Sequence, residues 1–138
     1  MRASYDTQAD AGSIWLVDSG VSVDSGSVLD DLVFDYDADD RIIGIEILNA
    51  SVHLPGEALG GVPEIEGDTM EPMILNVRHT ADSDALEVRF ADVARAEGKE
   101  VSPGVMLAYD AAGHIVAIEF RPASKLVSPV ALTALARK

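Results

Sequence analysis

Cysteine is absent from the 138-residue chain, and aromatic residues make up only 5% of it. The absence of cysteine excludes disulfide bonds, thiolate metal ligands and cysteine nucleophiles. No apolar run is long enough to span a bilayer, and residues 1–6 lack the apolar core of a secretory signal. We therefore expect a cytoplasmic protein that does not enter a membrane.

Basic residues are scarce, because 10 Lys and Arg stand against 24 Asp and Glu and give a formal net charge of −14. Such a charge repels phosphate backbones and anionic lipids, so neither nucleic acid nor a membrane is an expected partner. The excess lies in the first half: residues 1–72 carry 16 acidic and 2 basic residues, whereas residues 73–138 carry 8 of each. The first half is thus typical of a solvated acidic face, and it would also suit a basic partner protein.

An internal repeat organises the chain. Three segments of the first half recur in the second half: residues 10–11, 34–47 and 50–51 match residues 84–85, 107–120 and 123–124. The offset is 74 for the first segment and 73 for the other two. The repeat predicts two equivalent units at residues 1–54 and 73–127, joined over residues 55–72 by a linker rich in Gly, Pro and acidic residues.

Within each unit, apolar side chains alternate with period two, which predicts half-buried strands. Short turns at residues 38–40 and 111–113 carry residue types that favour β-hairpins. A small sheet cannot cover its own apolar face, so we expect the two units to pack together. The predicted fold is mainly β (α+β), with two pseudo-equivalent antiparallel β-meander units of about four strands. Ser128 and Pro129 predict the start of a short C-terminal helix over residues 128–138.

The first unit also carries apolar side chains on the second face of its strands. These are Trp15, Val17, Val33, Ile42 and Leu48. Such a surface needs a cover, which could be the terminal helix, the other unit or a second chain, and aromatic residues are favoured in interfaces. The sequence therefore predicts an interface at these residues and leaves both a monomer and a homodimer open.

Carboxylates cluster in and around the first predicted hairpin turn. They are Asp35, Asp37, Asp39, Asp40 and Glu46. Their spacing approaches that of a calcium-binding EF-hand loop, but Asp40 stands where that loop needs glycine, and the flanks alternate as strands instead of helices. Weak binding of calcium or magnesium is the remaining hypothesis for this cluster. The repeat keeps Asp37 and Glu46 as Asp110 and Glu119, which favours structural roles, with the aspartate bonding amides of its own turn and the glutamate paired across its hairpin.

Motifs of catalysis are lacking from the sequence. His53, His79 and His114 lie in different segments without metal-ligand spacing, and neither a nucleophile elbow nor a phosphate-binding loop is present. We therefore expect a protein that is not an enzyme and needs no cofactor. The leading hypothesis is a protein-interaction or structural module whose acidic first unit contacts a basic protein, and the alternative is a weak divalent-cation-binding protein.

Two segments of the first unit resemble the YuzE-like family of small uncharacterised bacterial proteins. They are SYDTQADAGSIWL at residues 4–16 and VFDYDADDRIIGIEILNAS at residues 33–51. The second unit departs from this pattern at His79-Thr80 and at Ala117, where the first has Tyr5-Asp6 and Gly44. The resemblance implies a tandem duplication in a bacterial protein. It carries no activity, and at most it implies an antitoxin-like role.

Overall fold

The computed structural model describes residues 2–17, 24–59, 70–72, 75–91 and 97–136. The strands of the first half are β1 (Arg2–Asp6), β2 (Ala11–Trp15), β3 (Asp24–Leu29), β4 (Leu32–Tyr36), β5 (Ile42–Leu48) and β6 (Met70–Pro72). Those of the second half are β7 (Asn76–Thr80), β8 (Ala85–Arg89), β9 (Glu97–Ser102), β10 (Val105–Tyr109) and β11 (Ile115–Phe120). The helices are α1 (Ala50–His53), α2 (Ala123–Leu126) and α3 (Pro129–Ala136), and a 3-10 turn spans Gly56–Leu59.

The strands form two antiparallel sheets with the same internal order. The first sheet runs β3-β4-β5-β2-β1, with β6 added at the β1 edge, and the second runs β9-β10-β11-β8-β7. This confirms a mainly β protein built from two similar units. Each unit has five strands, one more than the sequence indicates, and β5 pairs with β2 instead of following a simple meander.

The additional strands, β3 and β9, lie at the outer edges of the two sheets. Their sequences, DSGSVL and EGKEVS, lack an alternation of apolar and polar residues, and most of their side chains are exposed or half-buried. Strands of this composition are typical of sheet edges, where charge and glycine discourage pairing with other chains. The period-two pattern therefore could not reveal them.

A shared core joins the apolar faces of the two sheets. The rings of Phe34 on β4 and Phe120 on β11 lie 5.5 Å apart at 55° to each other. Ile45 and Ile118 are completely buried in the same cluster. A tilted aromatic pair contributes about 1 kcal/mol beyond the burial of its rings. This pair therefore stabilises the packing of the first unit against the second.

Backbone pairing ties the end of the second unit to the start of β5. Ile42 forms a parallel bridge with Val127, and the amide of Ser128 donates to the carbonyl of Ile42 at 3.0 Å. The guanidinium of Arg41 donates to the carbonyl of Ser124. We call these contacts the seam. Directly after it, α3 begins at Pro129 and contacts β7, which confirms the predicted C-terminal helix.

Two elements fall within residues 55–72, the segment predicted as a linker. The 3-10 turn follows α1, and β6 pairs with β1 over Ser4 to Asp6. Residues 60–69 lie outside the described part of the chain.

Candidate functional site

A cleft of about 620 Å³ opens beside the β3–β4 hairpin, where the first unit meets the second. Its lining is Ser27, Val28, Leu29, Asp30, Asp31, Leu32, Ile47, His53 and Ile115. Of these described lining residues, Ile115 alone comes from the second unit. Apolar walls with a few polar groups, at a volume in this range, are typical of sites that take up small molecules or side chains.

The polar groups of the cleft form a cluster around Asp31. Nε2 of His53 lies 2.7 Å from Oδ2 of Asp31, and the amide nitrogen of Asn49 donates to Oδ1 of Asp31 at 3.2 Å. The backbone carbonyl of Asp31 also accepts from the amide of Leu48 at 2.8 Å. The cluster thus connects the tip of the β3–β4 hairpin to the end of β5 and to α1.

The second unit makes the same backbone contact without the polar side chains. Gly104 stands at the position of Asp31, and its carbonyl accepts from the amide of Arg121 at 2.9 Å. Leu126 stands at the position of His53, and a Cβ placed on Gly104 would lie 2.8 Å from Cδ1 of Leu126. The second unit thus keeps the backbone contact with no side chain at the position of the aspartate and an apolar residue at the position of the histidine.

The hydrogen bond that Ser128 makes in the seam has no possible equivalent at the same positions of the other copy. Ser128 supplies the amide that bonds to Ile42, and the equivalent positions in the repeat are Pro55 and Ile115. Proline has no amide hydrogen, so the equivalent bond cannot form. One side of the junction is therefore closed by hydrogen bonds, and the cleft lined by Ile115 lies at the other side.

A second polar arrangement lies on the outer face of the first sheet, which we define as the face turned away from the shared core. Trp15, Gly44 and Asp35 stand opposite one another on β2, β5 and β4. A Cβ built on Gly44 would lie 3.0 Å from Oδ2 of Asp35 and 3.0 Å from Cζ3 of Trp15. The tryptophan ring and the carboxylate therefore converge over the glycine.

Asp35 is a buried carboxylate, only 3% exposed. Its Oδ1 accepts from the hydroxyl of Ser25 at 2.6 Å. Its Oδ2 is also buried, and it has no hydrogen-bond partner among the described residues. A buried oxygen of this kind carries an uncompensated desolvation cost, which a proton, a donor or a cation would relieve.

Glu46 lies beside Asp35 on the outer face. Burial is the main cause that raises the pKa of Glu46 above its usual 4.5, and the neighbouring carboxyl of Asp35 raises it further. The register places Val33 and Ser13 opposite Glu46. The expected pairing of this glutamate across its hairpin is therefore wrong, because the strand across the hairpin presents an apolar residue at that position.

The aspartate that the two hairpin turns share has the predicted structural role. Oδ1 of Asp37 accepts from the amides of Asp39 and Arg41 at 2.9 and 3.0 Å. Oδ1 of Asp110 likewise accepts from two amides of its own turn, both at 2.9 Å. The amide of His114 is the main cause that lowers the pKa of Asp110 below its usual value.

The five carboxylates considered for a divalent cation do not share one place. Asp35 and Glu46 meet on the outer face, Asp37 binds amides of its turn, and Asp39 and Asp40 are exposed at the tip. Asp40 holds a left-handed φ of 61° there. Within the described ranges, no group of three or more His, Asp or Glu side chains could hold a metal ion.

The five residues expected to form an interface also separate. Val17 and Ile42 are buried in the shared core, where Ile42 is fixed by the seam, so they offer no surface to a partner. Trp15 is partly buried, Val33 is half-buried on the outer face, and Leu48 is 40% exposed. An interface at these last three residues stays a prediction.

Each unit contains a polar clamp that the sequence did not predict. The carboxylate of Asp10 accepts from both the amide and the hydroxyl of Ser51, and Asp84 binds Ser124 in the same way. The serine hydroxyl is in each case the main cause that lowers the pKa of the aspartate. The repeat had paired these four positions between the units, but nothing in their spacing indicates that aspartate and serine meet within a unit.

A family model matches both units of the chain. The family model described as "Protein of unknown function (DUF2283)" matches the chain over residues 2–51 and 80–124. The two matched segments correspond to the two units, and each ends at the serine of a clamp. No curated protein and no solved structure matches the chain. Over the part of the chain that is described, none of the helices has both the length and the hydrophobicity to cross a bilayer.

Proposed function

Because the chain belongs to the DUF2283 family of proteins of unknown function, we propose its function from its own geometry: a non-enzymatic interaction module that docks a basic segment of a partner protein. The observation that carries this proposal is the cleft at the junction of the units. It combines a volume of about 620 Å³ with apolar walls and two adjacent carboxylates, those of Asp30 and Asp31.

The chemistry of the lining selects the kind of segment. Val28, Leu29 and Ile115 offer apolar contact, whereas Asp30 and Asp31 attract a positive charge. A segment that carries both an aliphatic and a basic side chain fits this combination, because the aliphatic group would bury apolar area while the ammonium group stays near the carboxylates.

The charge of the first half supports the same partner. Its net charge of −14 would draw a basic protein toward the first unit and speed the encounter, and salt would weaken this attraction. Specific contacts in the cleft would then determine how long the complex lasts. The acidic surface and the cleft thus have separate roles in one binding event.

The resemblance to the YuzE-like family suggests one form that this function could take. An antitoxin-like protein would bind and neutralise a basic toxin in the cytoplasm of a bacterium. This role is a narrower hypothesis within the proposed function, and binding of a basic segment at the cleft is the step that both share.

The test uses a synthetic amphipathic peptide of alternating leucine and lysine, titrated into the full chain by calorimetry at low and high ionic strength. We expect saturable binding that weakens with salt. The double variant D30N/D31N should weaken binding by about tenfold, because it removes both carboxylates of the cleft. V28N should weaken it as well, through the apolar wall.

A matched variant in the second unit, D82N/E100Q, removes the same charge from exposed positions that do not line the cleft. It should bind the peptide as the unmodified chain does, apart from a small salt-dependent change. Equal losses in the two double variants would show that binding follows net charge alone, and the proposal would then fail.

A further inference from the structure

The two units present different side chains at equivalent positions of their outer faces, and the second unit supplies its own cation. Arg89 occupies the position of Trp15, and both stand opposite the central strand of their sheet. Nε of Arg89 lies 3.1 Å from Oε1 of Glu87, and its guanidinium also donates to the carbonyl of Ala91 at 3.3 Å. Glu119 stands directly opposite Glu87, so this arginine lies where two carboxylates meet.

The first unit keeps two carboxylates on the same face, where its described side chains include no equivalent of Arg89. Glu46 is the equivalent of Glu119, and Asp35 takes the position of Ala108. The described residues place neither Lys nor Arg in an ion pair with Asp35 or Glu46. Where the second unit has a guanidinium, the first has the ring of Trp15.

We propose that the outer face of the first unit binds the guanidinium group of an arginine side chain from a partner polypeptide, between the ring of Trp15 and the carboxylates of Glu46 and Asp35. This site is separate from the cleft and goes beyond the proposed function. The partner's arginine would supply the charge that Arg89 supplies within the second unit.

The geometry gives each residue a distinct part in this site. Glu46 is half-buried, so its carboxylate is open to a donor from solvent. The ring of Trp15 and the orphan Oδ2 of Asp35 both approach to 3.0 Å of the Cβ position that Gly44 leaves empty. A small rotation of the ring would bring a guanidinium onto its face and toward both carboxylates.

Guanidinium suits this site better than ammonium. Its planar, weakly hydrated group stacks on an aromatic ring and donates two parallel hydrogen bonds to carboxylates, whereas ammonium is a strongly hydrated point charge. The crowding of two carboxyls that raises the pKa of Glu46 also disfavours leaving this pair without a cation. Binding would relieve both the charge repulsion and the desolvation of Asp35.

Trp15 provides the readout, because it is the single tryptophan of the chain. The probe is the capped tripeptide acetyl-Ala-Arg-Ala-amide, and its control is the same peptide with citrulline, the neutral analogue of arginine. We expect the arginine peptide to change the fluorescence of Trp15 saturably and the citrulline peptide to leave it unchanged. D35N and E46Q should each weaken the affinity by about tenfold or more.

Three further variants complete the test. E119Q removes the equivalent carboxylate of the second unit and should leave the affinity unchanged, and so should D30N/D31N in the cleft. R2Q addresses the chain's own arginine at the position opposite Trp15 in the β1–β2 register, and it should also bind as the unmodified chain. Near-ultraviolet circular dichroism verifies that each variant is folded. If D35N does not fold, the affinity of E46Q for the arginine peptide alone tests the role of the carboxylates.

The proposal is overturned if the citrulline peptide acts like the arginine peptide, or if D35N and E46Q bind with unchanged affinity. It is also overturned if R2Q binds at least tenfold more tightly, because the chain's own arginine would then be the occupant. Failure here with intact binding at the cleft would leave the proposed function standing, because the two sites depend on different carboxylates.

Discussion

Asp10 and Ser51 lie 41 positions apart in the chain, and two hydrogen bonds of 2.9 and 2.6 Å join their side chains and backbone. The carbonyl of Asp10 accepts a third bond at 2.9 Å, from the amide of Ala50. The turn between β1 and β2 therefore caps the helix that follows β5. Asp84 and Ser124 repeat the arrangement in the second unit. This clamp fixes β5 beside β2, which is the pairing that departs from a simple meander.

Removing the clamp should destabilise the protein. We expect D10A to lower the free energy of unfolding by about 1 kcal/mol, the usual net contribution of an intramolecular hydrogen bond, measured by urea denaturation. D39A, at the exposed tip of a hairpin, is the control and should change it by less than about 0.5 kcal/mol. In a double-mutant cycle, D10A and S51A should be clearly non-additive. Additive effects would mean that the two side chains contribute independently.

The clamp should also make stability depend on acidic pH. The hydroxyl of Ser51 is the main cause that lowers the pKa of Asp10 below 3.8, and the hydroxyl of Tyr5 adds to it. The stabilising contribution is therefore complete above pH 3.8 and is lost as the pH falls through the lower pKa of the folded state. Urea denaturation of the D10N variant should show a deficit at neutral pH that shrinks below pH 3.8. A deficit that is constant over this range would contradict the ionised clamp.

Glu46 should show the opposite dependence. Because burial and Asp35 raise the pKa of Glu46 above 4.5 in the folded state, its ionisation destabilises the fold as the pH rises through that pKa. E46Q should therefore raise the melting temperature at pH 8, and the difference should close as the pH falls toward 4.5. E119Q provides the matched comparison in the second unit. If E46Q melted at a lower temperature than the unmodified chain at pH 8, ionised Glu46 would not destabilise the fold.

Gly44 should resist replacement by alanine. A methyl group there would lie 3.0 Å from both Oδ2 of Asp35 and a ring carbon of Trp15, which forces one of them to move. We expect G44A to cost about 1–3 kcal/mol in thermal or urea unfolding, the range of overpacked sites. G56A is the control, because a Cβ at Gly56 has no described neighbour within 4 Å. If G44A is as stable as G56A, the side chains of Trp15 and Asp35 can move aside to accept a methyl group.

Calcium and magnesium should leave the melting temperature unchanged at millimolar concentration. The Oδ1 atom of Asp37 already accepts from two amides, and the described carboxylates provide no group of three ligands. An ion that binds only the folded state must raise the melting temperature. A thermal shift assay with each ion therefore tests whether the protein binds calcium or magnesium. A rise that disappears in D35N would show that a divalent cation occupies the outer face, and it would favour the metal hypothesis.

The repeat made much of the fold predictable, because apolar alternation marks any strand with one buried face. The hairpins around Asp37 and Asp110 were found in this way, and the structure gives both aspartates the same two-amide geometry. Strands β3, β6 and β9 carry no such signal. They lie at sheet edges, where burial does not impose a pattern on the sequence.

The candidate sites were less predictable, since each depends on strand order. Asp35 and Glu46 were identified as candidates, but their meeting with Trp15 requires β2 to pair with β5. The clamp and the cluster of Asp31 with His53 join residues separated by 41 and 22 positions. Contacts over such distances arise from tertiary packing, which spacing along the chain does not encode.

Pro55 makes the two junctions between the duplicated units different. Two copies of one unit, joined by identical contacts, would present two identical junctions and therefore no distinct place for a ligand. A single residue without an amide hydrogen, at the position where Ser128 donates in the other copy, is enough to make the two junctions unlike. After a duplication, such an exchange in one copy leaves one junction with a backbone hydrogen bond that the other cannot form, and Ile115, at the junction without it, lines the cleft.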